Sequence, residues 1–241
     1  MKIGVVPARL ASKRLPKKIL ADLDGKPMVV HTMERVLKAQ RLDKVILAID
    51  SEETLDALKD FDFDMVMTSK DHYSGTDRVA EVVKRIEDAE VIINIQGDEP
   101  LIDANIIDAL VDLFEDKDVK MGTAISTKLT VDDLLDPNVV KAIIDQDKNV
   151  IDFKRNIFDL EIGGLYRHIG IYGFRRNTLF QFSMLEQSPR ELEKKLEQMR
   201  ALDNGLPIRA AITGFESFAV DTQSDLNKVA EIMGVKEIGL D

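Results

Sequence analysis

Ile3-Gly4-Val5-Val6-Pro7-Ala8-Arg9-Leu10-Ala11-Ser12-Lys13-Arg14-Leu15-Pro16-Lys17-Lys18 is the stretch on which the reading of this chain turns. A short apolar strand, Ile3 to Val6, runs directly into a loop. That loop crowds Arg9, Lys13, Arg14, Lys17 and Lys18 into ten residues of a protein whose formal net charge is -11. Like charges at this density repel, so an acidic protein gathers them where an anion compensates. Polyphosphate suits best, because guanidinium and ammonium groups make short charge-assisted bonds to phosphate oxygens. The plain alternative is a solvated basic turn.

Working outward, further apolar runs follow at Lys44 to Ile49, Met65 to Met67 and Val91 to Ile95. Near-continuous apolar runs suit parallel strands covered on both faces. Between them, the spacing predicts helices over Pro27 to Ala39, from Ser51, over Thr76 to Glu87 and over Ala104 to Phe114. Alternation of this kind is the pattern of a doubly wound α/β sheet with right-handed crossovers. Ligands of such sheets lie beyond the carboxyl ends of the strands. The polar loops 7–18, 68–76 and 96–100 all follow strands, so all three should open on one edge.

After residue 120 the pattern changes. Met121 to Thr127, Val139 to Asp145, Val150 to Phe153 and Arg167 to Phe174 read as strands in a mixed or antiparallel section, with His168 and Tyr172 on one face. A helix is expected from Pro189 toward Leu202, with Leu192, Leu196 and Met199 as its core stripe. Strands at Ile208 to Ile212 and Phe218 to Val220 and a last helix from Ser224 to Met233 complete the chain. The expected division is an α/β core over 1–120, a mixed-strand section over 121–188, and C-terminal elements over 189–241 that complete the core.

Composition bounds the chemistry. There are no cysteines, so disulfides and thiolate chemistry are excluded, and three scattered histidines argue against a zinc enzyme. The chain enters a strand at once, without a signal-peptide pattern, and no apolar run approaches the roughly 20 residues that span a membrane. A cytoplasmic protein without membrane insertion is expected. Its acidity argues against non-specific nucleic-acid binding, which needs a broad basic surface.

Asp98, after a buried strand and a glycine, could hold Mg2+ or cap a turn. Asp221 repeats the arrangement and could equally be a helix N-cap. Ser74-Gly75-Thr76-Asp77-Arg78 suits a base edge, a phosphate or an ordinary cap. His168 could meet an acidic substrate or be a satisfied strand histidine, and Glu197 and Gln198 say nothing by composition alone. There is neither a Walker pattern nor a dinucleotide fingerprint. Phosphate handling must come from side chains and a looser loop, which favours a nucleotidyltransferase over an ATPase or a dehydrogenase.

These motifs, taken in order, resemble the 3-deoxy-manno-octulosonate cytidylyltransferases among the sugar-activating nucleotidyltransferases. The matching residues are Pro7-Ala8-Arg9, Ser12, Arg14-Leu15-Pro16 and Lys18, then Gly25-Lys26-Pro27-Met28. Thr68, Asp71-His72 and Ser74-Gly75-Thr76-Asp77-Arg78 follow, then Gln96-Gly97-Asp98-Glu99-Pro100, Arg167 to Phe174, Ser188-Pro189, Leu196-Glu197-Gln198 and Val220-Asp221-Thr222. The resemblance implies a Rossmann-like, mostly parallel sheet flanked by helices, with an inserted sugar-binding and dimerisation section, in a homodimer. It implies CTP and a 3-deoxy sugar acid as substrates, diphosphate as the leaving group, and Mg2+ held by Asp98 and Asp221. Arg9, Arg14 and Lys18 would neutralise the phosphates. Pro7, Ala8, Ser12, Thr68, Ser74, Gly75, Arg78 and Gln96 would lie about the nucleotide. Gln96, Arg155, His168, Tyr172, Glu197 and Gln198 would surround the sugar acid, with Asp98, Arg14, Lys18 and Asp221 at the chemistry.

One segment departs from the family pattern. Asp152-Phe153-Lys154-Arg155-Asn156-Ile157-Phe158-Asp159 keeps the arginine, but a lysine replaces a serine, a proline is missing and the loop is short. Asp159 and Glu161 would suit a cationic substituent, so 8-amino-3,8-dideoxy-octulosonate is the alternative acceptor. A hexose phosphate acceptor and a non-catalytic nucleotide-binding regulatory module are the remaining rivals.

Overall fold

The N-terminal apolar runs form parallel strands, and the sheet they begin is the frame for everything else. The computed structural model describes residues 1–157, 164–216 and 218–235. The first half comprises β1 (Lys2–Ala8), a small hairpin of β2 (Asp22–Leu23) and β3 (Lys26–Pro27), α1 (Met28–Val36), β4 (Lys44–Ile49), α2 (Glu52–Leu58), β5 (Met65–Met67), α3 (Gly75–Lys84), β6 (Val91–Asn94) and α4 (Ala104–Asp112). The second half comprises β7 (Met121–Ser126), α5 (Val131–Leu135), β8 (Lys141–Ile144), β9 (Val150–Lys154), β10 (Leu165–Arg175), α6 (Arg176–Ser183), α7 (Pro189–Lys194), α8 (Met199–Asp203), β11 (Ile208–Thr213) and α9 (Gln223–Met233).

The main sheet runs β11-β7-β10-β6-β1-β4-β5, with β8 and β9 extending from β10. Neighbours are parallel except around β10, which is antiparallel to β6, β7 and β8, and between β8 and β9, which are antiparallel to each other. The α/β fold with a mostly parallel core and a mixed-strand region is thus the one expected. The strands of the 121–188 section do not stand apart: β7 and β10 lie inside the main sheet, and only β8 and β9 project from it.

Side chains alternate across each strand, so β1 feeds both faces of the sheet. Ile3 and Val5 pack with Val79, Val82 and Val83 of α3 and with Phe182 of α6. Val6 packs with Val29, Val30 and Met33 of α1 and Ile106, Ile107 and Leu110 of α4. A third cluster joins Leu23 and Met28 to Val220, Leu226 and Val229. It docks α9 on the hairpin and brings Asp221 to the carboxyl edge of the sheet.

Local chemistry starts the helices where the sequence places them. Ser51, Ser74, Asp103 and Thr222 each accept a backbone N–H of the following turn. Two expectations fail. The helix over 189–202 is broken, because Lys195 turns into the left-handed region at φ 54° and separates α7 from α8. Leu192 is in consequence 58% exposed rather than core, while Leu196 and Met199 are buried. Phe218 to Val220 is not a strand; Val220 N–H makes a backbone bond to Asp98 O at 2.9 Å instead. Among the described residues, no helix is long and apolar enough to cross a membrane.

Candidate active site

The carboxyl ends of β1 and β6 face each other across Gly97. A Cβ there would stand 3.0 Å from Pro7 O, so only glycine lets the 96–100 loop lie this close to the basic loop. Asp98 then emerges opposite Lys18. The Lys18 ammonium donates to Asp98 Oδ2 at 2.6 Å and to Asp221 Oδ1 at 2.9 Å, and Arg14 Nη2 adds a bond to Asp221 Oδ1 at 2.8 Å. Burial disfavours the ammonium, but the two carboxylates outweigh it and hold Lys18 above its ordinary value. Burial likewise pushes Asp221 up, and Lys18 and Arg14 together pull it below the usual carboxylate range.

Two cavities open on either side of this junction, of about 740 and 780 Å3, and Arg14, Gln96, Asp98 and Asp221 line both. The larger is walled by Pro7, Arg9, Ser12, Lys13, Lys18, His72, Ser74, Gly75 and Arg78. Arg9 and Lys13 are exposed and make no ion pair among the described residues, whereas Lys17 is drawn away to Glu53 at 2.5 Å. Ser74 caps α3, its Oγ accepting Asp77 N–H at 3.1 Å. Ala8 and Thr68 lie behind this wall. Ala8 is core, and the buried Thr68 hydroxyl donates to Ile49 O at 2.8 Å and accepts from Arg78.

The other cavity is walled by Arg155, His168, Tyr172 and Gln198, together with Asp136, Arg167 and Lys228. Arg155 and Arg167 are tied in place, while the exposed Lys228 has its ammonium over the Phe218 ring at 5.8 Å. Arg155 donates to Lys194 O, Pro137 O and Lys195 O at 2.8, 3.0 and 3.1 Å. Arg167 pairs with Asp133 at 3.1 Å. Behind them the fully buried Lys141 donates to Arg155 O at 2.7 Å and Asp136 O at 2.8 Å, and its burial lowers its pKa. The Thr123 hydroxyl donates to Ile171 O at 2.9 Å, so His168 Nε2–H donates to Thr123 Oγ1 at 3.0 Å. Desolvation pulls His168 down to about 3, leaving a neutral ring between Phe153 and Tyr172. Burial, with Glu197 and Glu99 nearby, pushes the Tyr172 phenol well above its ordinary value.

Glu197 is not on this wall. It sits behind the 74–76 loop, where Oε2 accepts the Thr76 hydroxyl at 2.8 Å, and burial raises its pKa against the pull of Thr76 and Ser74. Asp159 and Glu161 lie outside the described residues. Two features escape the sequence reading. Lys141 had a visible signal, a lysine inside the apolar run Val139 to Ile144. Asp50 had none beyond its place at the end of β4. It is 6% exposed, pairs with the buried Arg78 at 2.9 Å, and accepts Leu10 N–H at 2.9 Å.

Known proteins resemble this chain in both sequence and fold. Residues 3–212 match the family model described as cytidylyltransferase. The 3-deoxy-manno-octulosonate cytidylyltransferase of Geobacter metallireducens is 45% identical, covering 96% of this chain and 97% of the relative. A solved structure of a CMP:2-keto-3-deoxy-manno-octonic acid synthetase complexed with CTP superposes with a TM-score of 0.90, at 32% identity, over 98% of this chain and 100% of that one. The inositol-1-phosphate CTP transferase of T. maritima, at 19% identity and a TM-score of 0.67 over 100% of this chain and 98% of that one, shares the fold alone. The chain belongs to the 3-deoxy-manno-octulosonate cytidylyltransferases of the cytidylyltransferase family.

Proposed function

We propose that this enzyme transfers CMP from CTP to the anomeric hydroxyl of 3-deoxy-manno-octulosonate. The single observation that carries this reading is the pair of cavities meeting at Arg14, Gln96, Asp98 and Asp221. One is walled by exposed cations and a capped helix start, the other by the fixed cations Arg155 and Arg167, the exposed Lys228 and neutral donors. A triphosphate and a sugar acid can therefore meet across one carboxylate-bearing wall.

In the reaction, the C2 hydroxyl oxygen bonds to the alpha-phosphorus, the bond from that phosphorus to the bridging oxygen breaks, diphosphate leaves, and the hydroxyl proton passes to solvent. Both substrates are anions and repel. Arg9, Lys13, Arg14 and Lys18 screen the triphosphate and the charge that develops on diphosphate. Arg155 and Gln198 present the sugar acid, and Gln96 stands between the two. His168 and Tyr172 keep their neutral forms at neutral pH and act as hydrogen-bonding surface. Ser74 and Gly75, against Pro7, form the wall assigned to the cytidine, with Arg78 behind them.

Asp98 and Asp221 fit a magnesium ion. Their carboxylates already converge on a single cation, the Lys18 ammonium. Among the described residues no third carboxylate or histidine joins them, which suits an ion that takes one or two protein carboxylates and completes its shell with phosphate oxygens and water. Bound there, Mg2+ would supply Lewis-acid stabilisation of phosphate charge.

A homodimer belongs to the same proposal. Val131, Leu135 and Ile151 of the 121–188 section are exposed apolar residues that a second copy would cover. So does a cytoplasmic location, with no nucleic-acid partner. Diphosphate release tests the activity: release with CTP, Mg2+ and 3-deoxy-manno-octulosonate, and none with UTP, ATP or GTP, is expected. Faster release with the 8-amino sugar acid would move the assignment to that acceptor, and release only with a hexose phosphate would overturn it.

A further inference from the structure

Asp50 joins two walls of the nucleotide cavity that the sequence keeps apart. The parallel register of β1 and β4 sets Ala8 beside Ile49. The next residue on each strand, Arg9 and Asp50, therefore leaves the sheet at the same edge. One Asp50 oxygen accepts Leu10 N–H at 2.9 Å, inside the basic loop and next to Arg9. The other accepts Arg78 Nη2 at 2.9 Å. The rest of that guanidinium is held by the Thr68 hydroxyl and by Ser69 O at 3.2 Å. Arg78 and Asp50 are both almost fully buried, so this is a fixed joint rather than a surface contact.

The charge arrangement makes the joint consequential. The basic loop carries five cations, and their mutual repulsion favours an open, wandering loop. The structure gives the loop little regular hydrogen bonding between Ala8 and the turn at Leu15 to Lys18. The bond from Leu10 N–H to Asp50 is its anchor next to the strand. A backbone N–H held by a buried carboxylate is a strong charge-assisted bond, and it fixes the point from which Arg9, Ser12 and Lys13 reach the cavity.

We infer that Asp50 is a positioning residue for nucleotide binding, with its two oxygens doing separable work. The oxygen on Leu10 sets the course of the basic loop. The oxygen on Arg78 stabilises the fold by neutralising a buried cation. This inference rests on the assignment of that cavity to the nucleotide. It gives the cavity a residue that need not touch substrate yet controls its affinity.

The test measures CTP binding with Mg2+ by calorimetry, without sugar acid, on the full chain, with thermal unfolding recorded beside it. Asp50→Asn keeps an oxygen for Leu10 N–H and loses the charge facing Arg78. It should melt lower yet bind CTP within about threefold of the parent. Asp50→Ala loses both bonds and should bind CTP at least about tenfold more weakly, the scale of one lost charge-assisted bond. Equal weakening in both variants, or none in Asp50→Ala, overturns the inference. If Asp50→Ala does not fold, Asp50→Ala/Arg78→Met is compared with Arg78→Met alone. About tenfold weaker binding in the double variant upholds the role of the Leu10 bond, and equal binding overturns it. The unaltered chain is the control: if it fails to bind CTP, the nucleotide assignment itself falls, whereas tight binding by both it and Asp50→Ala removes only the positioning role.

Discussion

The two halves of the cleft handle charge in opposite ways. On the nucleotide side, Arg9 and Lys13 project from an irregular loop without an ion pair among the described residues, and Arg14 reaches Asp221 through largely solvated surface. On the sugar side, Arg155, Arg167 and Lys141 are each fastened to carbonyls or carboxylates. Under the proposed assignment, the difference teaches that one half would work by field and the other by shape. A triphosphate carries several charges on flexible oxygens, and a cloud of mobile cations suits it. A single sugar acid must be told from its isomers, and that needs donors fixed before it arrives.

The largest effect should come where the halves meet. Asp98→Asn keeps the size and one oxygen of the side chain but removes the charge. We expect kcat to fall at least about 100-fold with melting behaviour close to the parent. Near-normal turnover by correctly folded protein would break the assignment of the junction as the site of chemistry. It would also leave the two cavities as separate binding sites.

The next effects should separate the halves. Arg14→Ala should lower kcat/KM for CTP by about 10- to 100-fold, the range for a lost contact between charged groups. Because Arg14 is well solvated, raising salt should mimic part of this loss by screening. Arg155→Ala should leave the CTP KM within about twofold and raise the sugar-acid KM about tenfold, since three carbonyls lose their donor at once. Salt should barely move that second constant. If salt and Arg155→Ala both act on the two substrates alike, the contrast between field and shape is wrong.

The same contrast explains what the sequence could tell. The nucleotide half is local. Each of its loops follows one apolar strand, and the starts of α2, α3 and α4 are written in the capping residues Ser51, Ser74 and Asp103 while Pro27 opens α1, so strand ends, loops and the common edge were all legible. Beyond Arg14 and the 96–99 loop, the sugar half is assembled from residues between 136 and 229, and its placement depends on β10 entering the sheet between β6 and β7. Nothing in the Arg167 to Phe174 pattern names those neighbours. Asp98 and Asp221 are 123 residues apart in sequence, and the packing of Val220 and α9 on the hairpin, the Val220–Asp98 backbone bond and Lys18 bring them together. The break at Lys195 was hidden for another reason. A left-handed helix end normally announces itself with glycine, and here a lysine takes that conformation, so the spacing of Leu192, Leu196 and Met199 imitates one continuous stripe.

The smallest effect concerns protons, and it probes the shape-based half alone. His168 is held neutral down to about pH 3 by desolvation, while in the unfolded chain it protonates near its ordinary value of 6.5. Above that value neither state carries the proton and His168 contributes no pH dependence. As the pH falls below 6.5 the unfolded state gains a proton that the folded state refuses, so stability declines until the folded value is reached. Thermal unfolding measured from about pH 7 to about pH 5 should therefore show a decline that is shallower in His168→Gln, which can still donate to Thr123 but cannot titrate. Carboxylates contribute the same background to both proteins, so the difference isolates the ring. An unchanged slope would mean that the imidazole is solvated enough to charge in the folded state. The sugar side would then gain a charge that titrates near neutrality, and His168 would cease to be part of its neutral hydrogen-bonding surface.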